Sequence, residues 1–442
     1  MAEHTFVGFG FGPIQAGLFA KEAFQSGNFR RIAVAEIDQC LVDAVRSNQG
    51  TYHVNVAKSD RIEAIRIDGV ELLNPADPDQ ATALRIAISE ATEITTCLPS
   101  VKFYDSAGDN SVAALMADGL QHRGSDAAIV YAAENHNHAA EILEQAVMQR
   151  SGVGRASPRA PDRRAGTHDL RRVQFLNTVI GKMSQVVTDP REIAERGLAP
   201  IAPGLDRAFL VEEFNRILVS KTTISGFTPG IRVLVEKDDL LPFEEAKLYG
   251  HNAIHALLGF IGRLKGYAKM TELKADASLM NVARAAFLRE SGGALVRKYA
   301  SLGDELFTEA GYRLYAEDLL ERMTNPYLAD TVARAGRDVV RKLGVSDRIF
   351  GTMALALEYG IEPRNMALGA MAGVALLLAN AAEYSLPPEL RSLNWQRLSI
   401  DSLTQLLTFL WQKPMSLSLR KLIDCTHATR DPLVKLVAPR HQ

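Results

Sequence analysis

The sequence predicts an α/β domain built on a parallel sheet, followed by a mostly helical second half. Three observations predict it. The first half alternates short β-branched runs with helical stretches, the order expected when parallel strands are joined by crossover helices. From Asp206 onward strand signals become sparse and long amphipathic runs replace them. A length of 442 residues, with 47% hydrophobic and 23% charged side chains, fits an ordinary globular chain of two or three domains.

The clearest strands are Thr5 to Gly8, Arg31 to Glu36, Ile94 to Leu98 and Ala127 to Tyr131. A helical stretch, Ile14 to Gln25, follows the first, and Asn137 to Met148 follows the last. The helical runs of the second half are Phe209 to Leu218, Phe243 to Leu264, Val282 to Lys298, Leu314 to Met323 and Leu328 to Leu343. The longest apolar run, Met366 to Ala379, is 14 residues and is interrupted by Gly369 and Gly373, so it reads as a buried helix too short to span a bilayer. Leu393 to Gln442, with apolar periodicity from Ile400 to Trp411, reads as a terminal helical appendage. The domains expected are therefore 1–205, a nucleotide-binding α/β domain; 206–392, a helical substrate domain; and 393–442, the appendage.

Fifty Lys and Arg against 52 Asp and Glu give a formal charge of -2, which lacks the basic excess that nucleic acid or an anionic membrane requires. Neither is expected as a partner. The Arg150 to Arg172 segment, with seven arginines and two aspartates, reads as a solvated loop, with a docking patch as the minor alternative. The three cysteines, Cys40, Cys97 and Cys425, are odd in number and far apart, which excludes a disulfide framework and fits a reducing cytoplasm. The start, MAEHTFVG, has no basic region followed by an apolar one.

After the first strand comes GFGPIQAG, Gly10 to Gly17, opening a helix. In a dinucleotide-binding turn the first glycine permits the tight bend, and the second lets the backbone approach a pyrophosphate at the positive helix N-terminus. Gly10 and Gly12 supply both, while Gln15 stands where the third glycine is usual and Gly17 is left to allow close helix packing. The second strand ends in AVAEID, with Glu36 about 24 residues on from Gly12. That carboxylate can bond the adenosine ribose hydroxyls and would repel a 2′-phosphate, so a Rossmann domain binding NAD is expected. The plainer reading, glycines that only shape a turn and a surface Glu36, stays open.

No G-x-S-x-G, HExxH or P-loop occurs, so hydrolysis and phosphoryl transfer lack their parts. The unusual segment is KLYGHNAIH, Lys247 to His255. On an α-helix Lys247, Asn252 and His255 fall at about 0°, 140° and 80°, on one side. Near a helix N-terminus, dipole and desolvation both lower an ammonium pKa toward what a general base needs, and an asparagine can donate to a developing oxyanion. Each residue has a bland alternative: Lys247 as a snorkelling surface lysine, His255 as a satisfied core histidine. His251 and His255, four apart, have zinc spacing but no third obvious ligand, so no metal is expected.

The K-x4-N-x2-H arrangement after a Rossmann domain resembles the long-chain polyol-specific (mannitol) dehydrogenase family, most closely its mannitol-1-phosphate branch. The likeness extends over roughly residues 4 to 375, through the glycine turn, AEID, TYHVNV (Thr51 to Val56), AENHN (Ala133 to Asn137), FLNTV (Phe175 to Val179) and RMTNPYLAD (Arg322 to Asp330). The resemblance implies that Lys247 is the general base, that Asn177 and Asn252 polarise the carbonyl oxygen, and that His255 orients a hydroxyl. It implies Asn135 beside the cofactor, and Arg334 and Lys342 near substrate. Arg337 and Arg341, four apart between them, would share a helix face and grip a phosphate; ion pairs with Asp330, Asp338 or Asp347 are the bland alternative. Gln15, Gly181 in place of a usual Asp, the 150–172 loop and the tail beyond 390 depart from the family pattern.

The expected function is a cytoplasmic, NAD-dependent and metal-independent oxidoreductase, a monomer or small homo-oligomer. Its partner would be a small sugar alcohol or sugar phosphate, with mannitol 1-phosphate and fructose 6-phosphate foremost. A free-polyol or hexuronate dehydrogenase and a non-catalytic NAD-binding protein are the alternatives.

Overall fold

The computed structural model describes residues 4–124, 127–151 and 172–438. These divide into two compact units, Met1–Leu241 and Pro242–Gln442. Most of the Arg-rich loop of residues 150–172 lies outside the described residues.

The first unit holds twelve strands among its described residues: β1 His4–Phe9, β2 Phe29–Ala35, β3 Tyr52–Ala57, β4 Ile62–Ile67, β5 Val70–Leu73, β6 Glu93–Thr96, β7 Ala128–Ala132, β8 Val173–Ile180, β9 Ser184–Val187, β10 Ala208–Glu212, β11 Ile217–Ser220 and β12 Leu234–Lys237. The large sheet has the order β12-β11-β8-β7-β6-β1-β2-β5, and the small one β4-β3-β10-β9. Within the large sheet β5-β2-β1-β6-β7-β8 run parallel, and β11 turns antiparallel to β8. This is the doubly wound order, with its switch point between β1 and β6, where the chain leaves β1 through Gly10. Alternation in β1 divides the core. Phe6 joins Tyr52, Val54, Phe209 and Val211 on the face shared with the small sheet, and Val7 and Phe9 join Leu84, Ile88, Met116 and Leu143 of the opposite helices.

The second unit is helical. Leu241–Glu245, Ala246–Asn252 and Ala253–Leu264 follow one another as a helix with a π-helical middle. Its Gly259 lies so close to the chain at Ala335 that an added Cβ would sit 2.5 Å from the Ala335 carbonyl carbon. The apolar run read from sequence forms Arg364–Ala379, buried over most of the stretch from Met366 to Leu378. Among the described residues no helix is long and apolar enough to cross a membrane.

Three expectations about elements change. Phe209 to Leu218, read as helical, takes in all of β10 but Ala208 and the first half of β11; β10 is buried at every position, and a short run buried on both faces carries no strand alternation. The compact units accordingly part at Leu241 and Pro242, later than the expected 205/206 boundary. Leu328 to Leu343 is not one helix: Asp338 takes a left-handed φ of 57°, separating Val332–Ala335 from Val339–Lys342. The C-terminal segment packs into the second unit, where Trp411 Nε1 donates to the Leu343 carbonyl at 2.9 Å and Thr429 Oγ1 to that of Ala367 at 3.0 Å.

Candidate active site

In the first unit, Gly10 has a φ of +79°, and a Cβ there would meet the Cys97 carbonyl oxygen at 2.9 Å. Gly12 has open space where a side chain would be, directly before the helix that Pro13 opens, so an anion can approach its backbone. Gln15 is fully buried; its Oε1 accepts from Thr95 Oγ1 at 2.9 Å, and its amide occupies the room left by Gly8. The close approach moves to Gly17, where a Cβ would lie 2.6 Å from Val211 and 3.2 Å from Val54 of the small sheet.

Glu36 sits at the end of β2 as expected, and it also holds the turn together. One carboxylate oxygen accepts from Phe11 N at 2.7 Å, the other from Ile37 N at 2.7 Å and Asp38 N at 2.9 Å. Of about four acceptor positions on a carboxylate, one is left for a ribose hydroxyl. Asn135 is exposed on the loop after β7. Its neighbour Glu134, which spacing did not single out, is buried and accepts from Thr96 Oγ1, from Leu98 N at 2.8 Å and from the Tyr104 hydroxyl, fixing the chain beyond β6. Asn177 on β8 accepts from Ala140 N at 2.9 Å and donates to Glu141 at 2.8 Å, which ties it to the start of the preceding helix, Ala139–Arg150, in this unit.

In the second unit, Lys247 and Asn252 lie within the π-helical turn Ala246–Asn252. Hydrogen bonds in such a turn span five residues, so two side chains five apart lie nearer the same face than α-helical geometry would place them. Neighbouring elements satisfy the carbonyls the turn disturbs: Tyr315 donates to Ala246 O at 3.3 Å and Thr352 to Tyr249 O at 3.1 Å. Lys247 has its pKa lowered to about 8, first by burial and then by the Arg348 guanidinium, against a smaller opposing pull from Glu244. His251 is buried and held neutral, since burial first, and then the basic groups around it, His255, Arg322, Lys247 and Arg348, push its pKa well below the usual value. The His251 and His255 rings are 6.4 Å apart, and no group of three or more His, Cys, Asp or Glu suited to a metal occurs among the described residues.

His255 Nε2 lies 2.9 Å from Asp330 Oδ2, and Arg334 Nε donates to Oδ1 of the same carboxylate at 2.6 Å. Lys342 is buried over the Phe260 ring and donates to Ala335 O at 2.7 Å; burial, Arg348 and Arg341 lower its pKa to about 7. Arg348, largely buried, pairs with Asp347 at 2.8 Å and is a neighbour the spacing arguments missed. Arg337 and Arg341 do not share a helix face as expected, because left-handed Asp338 ends one turn and starts the next. Arg337 lies 3.8 Å from Asp338, and Arg341 lies 3.4 Å from Asp338 and 3.5 Å from Asp347. Lys247, His251 and Lys342 thus all lie within electrostatic reach of Arg348, and His251 neighbours His255, which shares Asp330 with Arg334.

Residues 239–400 match the family model described as the mannitol dehydrogenase C-terminal domain. That stretch is therefore similar to a mannitol dehydrogenase C-terminal domain. Two solved structures are similar to this chain over 99% of its length. A D-sorbitol dehydrogenase in substrate-free form matches with a TM-score of 0.74 and 17% identity, over 95% of that chain. The mannitol 2-dehydrogenase of Pseudomonas fluorescens, in a ternary complex with NAD and D-mannitol, matches with a TM-score of 0.65 and 18% identity, over 94% of that chain. At such identities the likeness speaks for the fold.

Proposed function

We propose that this chain is an NAD-dependent dehydrogenase interconverting a polyol and its ketose, with Lys247 as the general base. The observation that carries the reading is a lysine with its pKa lowered to about 8, sharing a π-helical turn with Asn252 in a stretch that matches a mannitol dehydrogenase domain. In oxidation the neutral Lys247 amine takes the alcohol proton while the carbon's hydrogen leaves as hydride. Bound NAD would supply the hydride acceptor, held by Gly10, Gly12, Glu36 and Asn135. Asn252 donates to the oxygen as it becomes a carbonyl, Asn177 takes the second donor's role on the family likeness, and His255 orients a neighbouring hydroxyl. No metal takes part in this scheme. Glu36 leaves no place for a 2′-phosphate, so NAD should be preferred to NADP by at least about tenfold. The unpaired cysteines suit a cytoplasmic setting.

Within this reading the substrate is a hexitol phosphate, mannitol 1-phosphate, giving fructose 6-phosphate. Arg334 and Lys342 are committed to Asp330 and Ala335 O, so they shape the pocket. Arg337 and Arg341, more than half exposed and paired at 3.4 to 3.8 Å, can exchange those partners for a phosphate. The same pairing with Asp338 favours a second reading, a free polyol. A panel of mannitol, fructose, their phosphates and hexuronates with NAD or NADP, followed by NADH absorbance, tests both. Replacing Arg337 and Arg341 by Ala should raise KM for the phosphate about tenfold or more and leave the free sugar unaffected. A wild-type preference for the free sugars moves the assignment to the second reading.

A further inference from the structure

Two of the groups assigned to substrate meet on one carboxylate. Asp330 is 1% exposed, and beyond its bonds to His255 and Arg334 its Oδ1 accepts from Thr331 N at 2.8 Å. Its backbone is pinned as well: its carbonyl accepts from Met270 N at 2.9 Å, Thr331 bridges to Lys269, and Val332 N donates to Ala268 O at 3.0 Å. Ala329 before it has a φ of 52°, a left-handed conformation that costs a residue with a Cβ about 1–2 kcal/mol and persists only where the surroundings enforce it. Burial would raise the Asp330 carboxyl pKa, but the bonds from His255 and Arg334 outweigh it and hold the group ionised well below the usual range. An ionised carboxylate only accepts. The ring nitrogen facing it therefore carries hydrogen, and in the neutral ring the other nitrogen is the one with the lone pair.

We propose that Asp330 is a positioning residue of the substrate site: it fixes His255 as the Nε2–H tautomer, leaves Nδ1 to accept from a substrate hydroxyl, and ties Arg334 to the same anchor. The ring and the guanidinium then form one rigid surface that reads the hydroxyl pattern of a polyol chain. The inference rests on the polyol reading above for its substrate, and on the Asp330 contacts alone for its geometry.

Nitrogen-15 NMR of the full-length protein labelled at histidine, with the His255 signals assigned by their loss in His255→Gln, reads the tautomer without any turnover. At pH 8 the wild type should show a protonated Nε2 and a bare Nδ1; a proton on Nδ1 overturns the proposal even if no variant folds. In Asp330→Asn, with folding checked by circular dichroism, the Nδ1–H form should appear, and KM for the polyol should rise about 10- to 100-fold. KM for NAD should stay unchanged and kcat should fall by less than KM rises. An active wild type whose Asn variant keeps its polyol KM also overturns it. A wild type with the expected tautomer that oxidises no polyol supports the positioning role and defeats the polyol reading instead.

Discussion

Lys247 is suited to take a proton near neutral pH because its ammonium is desolvated and has Arg348 as a like charge nearby; burial is the larger cause. A lysine base works only when neutral, so kcat/KM for alcohol oxidation should rise with pH through about 8 and level off above it. Lys247→Ala should lower turnover by about 10² to 10⁴ without changing NAD affinity. Arg348→Met removes a neighbouring cation, which lets the Lys247 pKa climb back toward its ordinary 10.5 and moves the rising limb to higher pH. A profile flat from pH 6 to 10 in the wild type would place the base elsewhere. The sequence pointed to Lys247, Asn252 and His255 because they are close along the chain. Asp330 and Arg348 were not legible as partners, since 75 residues separate Asp330 from His255 and no local spacing encodes a long-range contact.

The β1–turn–helix unit was legible because each of its parts is local: a β-branched run, two glycines, a proline at the first helical position. The four strands read from sequence all exist in the first unit, displaced by a residue or two at their ends. The π-helical turn was not legible, because a sequence with helical periodicity looks the same until tertiary neighbours such as Tyr315 and Thr352 take up the carbonyls. The glycines of the turn make a paired prediction that separates packing from binding. Gly17→Val drives a side chain into Val211 and Val54, and overpacking of this sort costs about 1–3 kcal/mol, so Tm should fall. Gly12→Ala meets no protein atom within 4 Å, so Tm should hold while NAD affinity drops, measured by titration calorimetry. If Gly12→Ala binds NAD normally, the pyrophosphate does not pass over this turn.

The C-terminal segment tests how far the second unit is a single cooperative body. Its first helix, Ile400–Trp411, has the bounds its periodicity predicts, yet its role as an appendage was an inference from position in the chain. Leu403, Leu406, Leu407, Ile423 and Leu433 are fully buried. Trp411 packs edge-on against Phe350, with ring centroids 4.9 Å apart, and bonds the carbonyl of Leu343. Each buried aliphatic contributes about 1.5–3 kcal/mol, so the segment supplies on the order of 10 kcal/mol, comparable to the whole net stability of a typical domain. Truncation before Ile400 should therefore abolish cooperative folding of the second unit, seen as loss of its thermal transition and of soluble expression, with turnover lost at the same time. The point variant Trp411→Ala gives the graded form of the same test. It removes the ring from Phe350 and leaves the Leu343 carbonyl without its donor, and should lower stability by about 3–5 kcal/mol in a denaturant titration. A truncated chain that melts cooperatively at the wild-type temperature and still turns over would mean that the helices from Ile400 onward are an ornament on a core closed without them.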